Sequence, residues 1–302
     1  MTDSVPQEYK DTVDIHDRMF QKISVDRRIY CVPVDEEEEE RLILQNQIMH
    51  YLFEEKLYFP DIPYPDKVLE CGYGRASWAV QMAQTYEDCE ITAIDIYPAD
   101  LPDEPDNLEC ELWDLNEPLV PTYERNQFDL VHSHFVAPGI KKERWREYLK
   151  DLVRLTKKGG WVQVAEFYYT IQSDNGLLGE DDALYKWGVN YRAAVQHDRD
   201  PRVGNYIDQL LRDAGLLQVQ IRHFRLPIGG WPEDPRQKWI GEQNLTNVNQ
   251  MLDSLALYPF TQRLGWTPAQ VKELTNQARA EAAETRRKLY IPLSVAWGRK
   301  RP

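Results

Sequence analysis

The stretch VLECGYGRASW, from Val68 to Trp78, places a carboxylate and two glycines directly after an apolar run. A turn from a strand into a helix uses glycine where the backbone approaches a ligand or adopts a positive φ, and Gly72 and Gly74 stand at those places. The dinucleotide fingerprint GxGxxG would need glycine at Ser77, and no Gly-Lys-Ser/Thr follows to make a P-loop. Glu70 would repel a pyrophosphate but suits an ammonium group. The turn therefore predicts a cofactor with a cationic end, the alternative being a purely structural turn.

Two further carboxylates follow apolar runs later in the chain. Asp95 closes ITAID about twenty residues on, where a carboxylate accepts hydrogen bonds from ribose hydroxyls. Asp114, in LWDL, would accept from an adenine amino group, unless WDLNEP forms only an Asx-type turn. Ligands of parallel sheets bind outside the carboxyl ends of the strands. An amino acid, a ribose and an adenine in that order predict S-adenosylmethionine as the cofactor.

Three histidines are candidates for proton transfer. His132 and His134 alternate within FDLVHSHFV, which has the pattern of a strand, so both point to one face and Ser133 to the other. Two neutral imidazoles facing a cleft would serve as a general base near pH 7; the alternative is packed polar residues. His197, in AAVQHDRDP, is a further candidate or an ordinary loop residue. The nearby acids do not make a convincing metal site, so none is predicted.

Aromatic side chains are abundant, with 17 tyrosines and 9 tryptophans, and most are expected in the core. Tyr168 and Tyr169 follow the apolar run WVQVAEF, where a substrate pocket would open, and Trp231 lies further along. We predict that these three, together with His197, contact the substrate. Aromatic walls favour a hydrophobic acceptor and attract a sulfonium by cation–π contact. Tyr30 precedes an acidic helix and is predicted to form a lid over the cofactor.

These residues need a sheet to position them, and the middle of the chain has the pattern of one. Short apolar runs alternate with helix-like stretches, which predicts a parallel sheet covered on both faces. The runs are KVLEC, EITAID, LECELWD, FDLVHSHFV and GWVQVAEF. Lys157 to Gly160, KKGG, resembles a helix stop. Residues 216–226 and 289–300 are predicted strands, separated by a long helical insertion that Pro259 and Pro268 break.

The N-terminal part contains a helix signal. Asp35 is a suitable N-cap for the acidic run Glu36 to Glu40, since acids in a first turn favour the helix dipole. We expect this run to be a solvated helix start. The apolar face that follows has helical spacing, and the three prolines of FPDIPYPDK end the helix.

Composition narrows the classes of function. The charge of 36 − 50 = −14 argues against nucleic acid as a partner, because phosphate backbones attract basic surfaces. No window approaches the roughly 18 apolar residues of a membrane span, and the first residues lack the apolar segment of a signal peptide. The four cysteines show no paired spacing, which is typical of reduced thiols. A cytoplasmic location is therefore expected.

In this order the motifs resemble a class I S-adenosylmethionine-dependent methyltransferase, and within that class the fungal LaeA-like, UMTA-type family of secondary metabolism. The resemblance spans residues 28–300 and includes RRIYCVPVDEEEEERLILQ, VLECGYGRASWAVQMAQ, AIDIYP, FDLVHSHF, KKGGWVQVAE, SDNG, GGWPEDPRQKWIGE and LGWTPAQVKEL. It implies an α/β fold: a Rossmann-like, seven-stranded, mostly parallel sheet with an antiparallel last strand and helices on both faces. It also implies an N-terminal extension with a lid helix at 1–62, and a methyltransferase domain at 63–302. Within that domain, a helical insertion at about 228–287 is expected to form a substrate cap.

The resemblance also implies residue roles. Glu70, Gly72 and Gly74 would hold the methionine part of the cofactor. Asp95 would bind the ribose. The adenine would be bordered by Ile96, Asp114 and Leu115. The sulfonium end would be bordered by His132, Ser133 and His134. Two positions depart from the family pattern: Ala76 stands where the third glycine is expected, and Cys71 follows the acid.

The expected activity is methyl transfer to an oxygen, nitrogen or sulfur atom of a small molecule, such as a fungal secondary metabolite. Two other functions stay open. One is a LaeA-like nuclear regulator that acts through protein partners, and the other is a non-methylating enzyme that uses the same cofactor. Whether the chain forms a homodimer is also open.

Overall fold

The central feature of the computed structural model, which describes residues 5–98, 101 and 104–302, is one mostly parallel sheet. A separate two-stranded ribbon, β1 and β2, precedes it. The strands are β1 Thr12–Asp14, β2 Met19–Gln21, β3 Lys67–Cys71, β4 Glu90–Asp95, β5 Leu108–Leu112, β6 Phe128–His134, β7 Thr156–Phe167, β8 Gln172–Ser173, β9 Leu217–Pro227 and β10 Leu289–Arg299.

The order of the strands in the sheet is β5-β4-β3-β6-β7-β10, and both β8 and β9 pair with β10. The pairs β3–β4, β4–β5, β3–β6 and β6–β7 are parallel, whereas β10 runs antiparallel to each of its neighbours. The predicted seven strands and the antiparallel last strand are confirmed, with the two-residue β8 added. Since β3 pairs with β4 on one side and β6 on the other, chain connections diverge at its carboxyl end, where ligands of such sheets bind.

Helices cover both faces of the sheet, as predicted. They are α1 Gln7–Lys10, α2 Lys22–Arg27, α3 Glu36–Leu52, α4 Ser77–Thr85, α5 Trp145–Leu155, α6 Ala183–Val195, α7 Ile207–Asp213, α8 Pro235–Arg263 and α9 Pro268–Ala282. Alternate residues of a strand point to opposite faces of the sheet. Val68 and Leu130 pack with α4 on one face, whereas Leu69 and Val131 pack with α5 on the other. No helix in the described ranges combines the length and apolar character needed to cross a bilayer.

The segment KKGG is not the helix stop that its composition predicted. Helix α5 ends at Leu155, and Lys157 to Gly160 belong to β7. A Cβ on Gly160 would lie 2.8 Å from the carbonyl oxygen of Asp129 on β6, so glycine permits the close approach of these two strands. Lys157 Nζ lies 2.8 Å from the Asp129 carboxylate and holds the irregular pairing in place.

Pro259 also behaves differently from the prediction, whereas Pro268 lies at a helix start. Helix α8 runs through Pro259 to Arg263, because the lost hydrogen bond falls in the last turn of a long helix packed on α3, α6 and α9. Pro268 occupies the first turn of α9, where its missing N–H costs nothing, and Thr267 and Gln270 form a capping box there.

Helix α3 begins as predicted, but its acidic start is not fully solvated. The Asp35 carboxylate accepts from the Glu38 backbone N–H at 3.2 Å. Glu38 itself is 1% exposed and pairs with Arg41 at 2.7 Å. Arg41 Nη1 also donates to Asn247 Oδ1 on α8 at 3.0 Å. Helix α3 therefore docks on the insertion through a hydrogen bond from Arg41, whose charge is paired with Glu38 of the same helix.

We predict that Arg41→Met lowers the free energy of unfolding by about 3–5 kcal/mol, because Glu38 would stay buried without its cation. Lys22→Met is the control, since the Lys22–Asp26 pair at 2.6 Å is exposed and its loss should leave the stability nearly unchanged. Urea unfolding followed by circular dichroism measures both. Equal losses in the two variants would contradict the role of the buried pair.

Candidate functional site

A large cavity lies at the carboxyl ends of β3, β4 and β6, with α3 as the facing wall. It encloses about 1480 Å³ of empty space, part of it open to solvent. Its lining from the sheet side includes Gly72 to Arg75, Asp95 to Tyr97, Trp113 to Asn116, His132, and His134 to Val136. The predicted cofactor residues Tyr30, Gly72, Gly74, Asp95, Ile96, Asp114, Leu115 and His132 all line this cavity.

The glycine turn after β3 is shaped by close packing. Gly72 has φ +81°, and a Cβ on it would overlap Val136 Cγ1 on the loop after β6. Its N–H donates to the Ile94 carbonyl at 2.8 Å. Gly74 has φ +55°, and its N–H donates to Asp95 Oδ2 at 2.9 Å. The turn thus exposes backbone to the cavity while it holds the end of β4.

Ala76, which stands where the family has a third glycine, is also in the left-handed region. Its φ is +54°, it is fully buried, and it precedes α4 as the N-cap. Alanine in this region costs roughly 1–2 kcal/mol relative to a helical conformation. The backbone therefore keeps the path that a glycine would take, in spite of the substitution.

Asp95 ends β4 at the cavity wall. Its Oδ1 accepts from the Tyr97 N–H at 3.1 Å, and its Oδ2 accepts from Gly74. Burial raises the pKa of Asp95, although these backbone hydrogen bonds favour the ionised form. The carboxylate is thus fixed in orientation by both neighbouring loops, as a ribose ligand would need.

Asp114 forms the Asx turn that was the alternative interpretation, and it still lines the cavity. Its Oδ1 accepts from the backbone N–H and the side-chain Nδ2 of Asn116 at 2.9 and 2.8 Å. Asn116, which the sequence analysis missed, donates to the Gly139 carbonyl at 3.0 Å and accepts from the Lys141 N–H at 2.8 Å. The sequence Asp-Leu-Asn was the signal from which the hydrogen bonds of Asn116 could have been anticipated.

Glu70 does not line the cavity but lies beneath its floor. The residue is fully buried, and neither carboxylate oxygen forms a hydrogen bond of normal geometry among the described residues, although the Ala79 N–H at the start of α4 interacts with the carboxyl. Its Oε1 lies 3.4 Å from His134 Nε2. Burial, with the nearby Asp95, holds the pKa of Glu70 well above its usual range. Its predicted contact with the methionine part of the cofactor stays a prediction.

The two imidazoles share one face of β6, as the alternation predicted. The ring of His132 stacks on Trp78 of α4, with centroids 3.9 Å apart, and lies 4.7 Å from the ring of His134. Burial lowers the pKa of His132, and lowers that of His134 to about 4. Both rings are therefore neutral at pH 7, and both are weaker bases than a free imidazole.

Ser133 does not belong to the cavity, which corrects its predicted cofactor contact. Its side chain points to the opposite face of the sheet, as strand alternation requires. Its hydroxyl lies 2.8 Å from the Tyr148 hydroxyl, and the residue is fully buried.

The four residues predicted to contact substrate do not line the cavity either. Tyr169 is buried among other rings, whereas His197 is exposed beyond the end of α6. Trp231 donates its indole N–H to the Leu289 carbonyl at 2.8 Å, and Tyr168 follows β7 outside the cavity. No described residue of 228–287 lines this cavity; the insertion packs on α3, and its role as a substrate cap stays a prediction.

The facing wall was largely missed from the sequence. Helix α3 contributes Glu38, Glu39, Leu42, Gln45, Asn46, Met49 and His50. Phe135, at φ +57°, stacks on Phe167 at 4.4 Å and lines the floor. The periodic apolar face of α3 had indicated burial of Met49, but no local pattern identified which polar side chains face the cavity.

Glu166 is a further buried acid that the sequence analysis missed. Its Oε1 accepts from the Val136 N–H at 2.8 Å, and burial raises its pKa to about 8. The side chain is neutral at pH 7 and holds the loop that closes over Gly72.

Comparisons with known proteins identify a matching family, related sequences and similar folds. Residues 68–160 match a family described as "Methyltransferase domain". The matched stretch runs from β3 into β7 and contains the glycine turn, Asp95, Asp114 and both imidazoles.

Curated fungal relatives match most of the chain. The "Secondary metabolism regulator laeA" of Aspergillus niger is 25% identical over 288 residues, covering 91% of this chain and 73% of the relative. "Methyltransferase pytC" of Aspergillus terreus is 25% identical over 258 residues, covering 84% and 78%. "Probable methyltransferase tdiE" of Emericella nidulans is 28% identical over 265 residues, covering 87% and 82%.

Solved structures share the fold. Phosphoethanolamine N-methyltransferase 2 of Haemonchus contortus, solved with S-adenosyl-L-methionine, has a TM-score of 0.54 at 15% identity, covering 94% of this chain and 62% of that one. A second structure of that enzyme, with S-adenosylhomocysteine, has a TM-score of 0.50 at 16% identity, covering 85% and 53%. This chain thus spans less than two thirds of these structures, and the likeness concerns the fold alone.

We predict that Gly72→Ala lowers the affinity for S-adenosylhomocysteine at least about tenfold and destabilises the fold, because the new methyl must displace Val136. Gly176→Ala is the matched control: its φ is +73°, but no described atom lies within 4 Å of the new Cβ. It should show only the backbone cost of about 1–2 kcal/mol and unchanged affinity. Calorimetry and thermal unfolding measure both; similar behaviour of the two variants would contradict the close packing.

The raised pKa of Glu166 predicts a pH-dependent stability. Between about pH 5 and 8 the folded protein keeps a proton that the unfolded chain releases, so stability falls as pH rises, by up to ~1.4 kcal/mol per unit. Glu166→Gln removes this loss, and its stability relative to the parent should increase from pH 5 to pH 8. Urea unfolding at several pH values measures the difference; parallel pH profiles would refute the prediction.

Proposed function

We propose that this chain, which belongs to the fungal LaeA-like family of S-adenosylmethionine-dependent methyltransferases, methylates an oxygen, nitrogen or sulfur atom of a small secondary metabolite. The observation that carries the proposal is the convergence of the glycine turn, Asp95 and Asp114 on one cavity.

The residues of the cavity fit the cofactor. Val136 leaves no room for a side chain at Gly72, so this residue lines the cavity with backbone alone, which would let a ligand approach the turn closely. Asp95 is held at the wall for ribose hydroxyls, and Ile96 and Leu115 provide apolar surface for an adenine. Tyr30 closes the same cavity from the N-terminal side. When bound, the cofactor supplies a methyl group that its sulfonium already activates.

The protein's own contribution is mainly orientation. Alignment of an acceptor with an activated group supplies about 7–11 kcal/mol of the barrier in well-oriented reactions. The rings of Trp78 and Phe135 contact the two imidazoles and line the cavity, as does Phe53, and they provide apolar contacts for an acceptor. Helix α3 covers this side and limits the access of water.

The imidazoles favour some acceptors over others. Transfer of a proton from a phenol, with a pKa of about 10, to His134, with a pKa of about 4, is uphill by about 8 kcal/mol. A neutral amine, a thiolate or a thioether needs no such transfer before it attacks. His132 and His134 alone therefore suit a nucleophile that requires no strong base.

A second function is favoured by the names of several relatives, among them the regulators laeA and LAE1. In this alternative the chain acts through protein partners in the nucleus, whereas the enzyme would act in the cytoplasm on a small molecule. A pull-down that recovers a stable regulator complex would support the alternative. The division of the chain at residue 62 and the formation of a homodimer stay predictions.

Methyl transfer is tested by incubating the purified protein with methyl-labelled S-adenosylmethionine and an extract of the producing organism. A labelled small molecule, formed together with S-adenosylhomocysteine, is expected. Absence of labelled product from a protein that binds the cofactor would count against the small-molecule activity. Turnover without S-adenosylhomocysteine would indicate a non-methylating reaction.

Asp95→Ala should weaken S-adenosylhomocysteine binding about 10- to 100-fold, because hydrogen bonds to an ionised group contribute about 1.5–3 kcal/mol. Lys157→Ala is the control, since Lys157 pairs with Asp129 outside the cavity. Isothermal titration measures both dissociation constants, and equal affinities would refute the assignment of the ribose site.

A further inference from the structure

Three metal-ligating side chains meet under the floor of the cavity: Glu70, His132 and His134. One ligand atom from each lies within 4.8 Å of the others, and the Glu70 Oε1 to His134 Nε2 distance is 3.4 Å. Among the described residues this is the one group of three or more such side chains with this spacing.

Strand register produces the cluster. Glu70 on β3 is the direct parallel partner of His132 on β6, so their side chains leave the sheet on the same face. His134 follows two residues later and returns to that face. The ring of Trp78 stacks on His132 and restricts its rotation. The three groups are therefore placed by the sheet itself and do not depend on a loop.

The three side chains are short of partners. The Glu70 oxygens and Nδ1 of His132 are buried and form no hydrogen bond of normal geometry in the described part of the chain, although the Ala79 N–H of α4 interacts with the Glu70 carboxyl and favours its ionised form. Glu70 is fully buried and His132 is 3% exposed. Buried polar groups in native proteins are almost always paired, so several orphaned atoms in one place indicate a ligand that binds them together.

We propose that Glu70, His132 and His134 bind one divalent d-block cation, of the Zn²⁺ or Fe²⁺ class. Two imidazoles and one carboxylate are a donor set that such ions prefer, and neutral imidazoles offer the lone pairs that coordination requires. Ligand distances of about 2.0–2.2 Å are reached by small shifts of side chains that already lie this close. A carboxylate in the set offsets part of the ion's charge.

The position of the ion follows from the lining of the cavity. Both imidazoles line the cavity and Glu70 lies beneath them, so an ion enters from the cavity and keeps its open coordination positions on that side. An acceptor hydroxyl could occupy one of those positions. A metal-bound hydroxyl releases its proton to solvent water near neutral pH, which supplies the activation that imidazoles of low basicity do not. This consequence rests on the proposed methyl transfer, whereas ion binding does not.

An organic ammonium is the competing ligand, because its three N–H groups match three acceptors. Glu70 does not reach the cavity surface in this structure, so an ammonium attached to a larger molecule would have to pass between the two imidazoles. A bare ion meets no such obstacle. The geometry therefore favours the metal, and the ammonium becomes an outcome of the test.

The test uses the full chain, stripped of metal with a chelator and dialysed against Zn²⁺ or Co²⁺. We expect one bound ion per chain and, with Co²⁺, visible absorption bands that report imidazole coordination. His134→Gln and Glu70→Gln should each weaken ion binding at least about tenfold. His197→Gln, a change of an exposed histidine outside the cavity, is the matched control and should bind like the parent.

S-adenosylhomocysteine binding is measured on the same variants, which separates this proposal from the proposed function. A circular dichroism spectrum like that of the parent in His134→Gln, together with lost ion binding, supports the metal site and shows that the variant is folded. Absence of a stoichiometric ion in the parent, or equal ion affinity in His134→Gln and His197→Gln, overturns it. Loss of cofactor affinity in Glu70→Gln from a parent that holds no ion assigns the cluster to the ammonium and also overturns the metal site.

Discussion

The contact between the loops after β3 and β6 is the constraint on which the cavity depends. Gly72 lies so close to Val136 that a Cβ would overlap it. Each loop is held from a neighbouring strand: Gly72 donates to the carbonyl of Ile94 on β4, and Val136 donates to Glu166 on β7. Four adjacent strands thus fix one another's ends. A cofactor placed over these ends meets backbone whose position is set by the whole sheet.

The wall of the cavity that faces the sheet is positioned by the tertiary contacts of α3. This helix precedes the sheet in sequence, and the bond from Arg41, which is paired with Glu38 on the same helix, attaches it to Asn247 on α8. The insertion before β10 therefore acts on the cavity through α3. Such an arrangement explains how a segment with no described residue in the cavity lining still determines the shape of the space.

The features that could be predicted from the sequence are those that depend on local residue patterns. Strands were found from apolar runs, and the glycine turn and Asp95 were found because each follows such a run directly. Ser133 shows the limit of motif transfer, since alternation alone places its side chain on the face opposite His132. Glu38 resembles its solvated neighbours in sequence and differs because it is buried and paired with Arg41, which bonds to α8. Tyr169 and Trp231 are aromatic residues of the kind that often lines pockets. Tertiary packing places them outside the cavity, and no local sequence pattern reports that packing.

The protonation states of the side chains at the floor of the cavity depend on burial more than on residue type. Glu70, His132 and His134 would be charged, or partly charged, in water near neutral pH, but burial favours the neutral form of all three. The cluster is therefore stable as an uncharged, under-bonded group only while no cation is present. A cation that enters reverses this preference, because it stabilises the ionised carboxylate and uses the imidazole lone pairs. In the proposed ion site a cation would pair with the carboxyl that burial otherwise keeps protonated, and this pairing would offset part of the cost of burying the three groups.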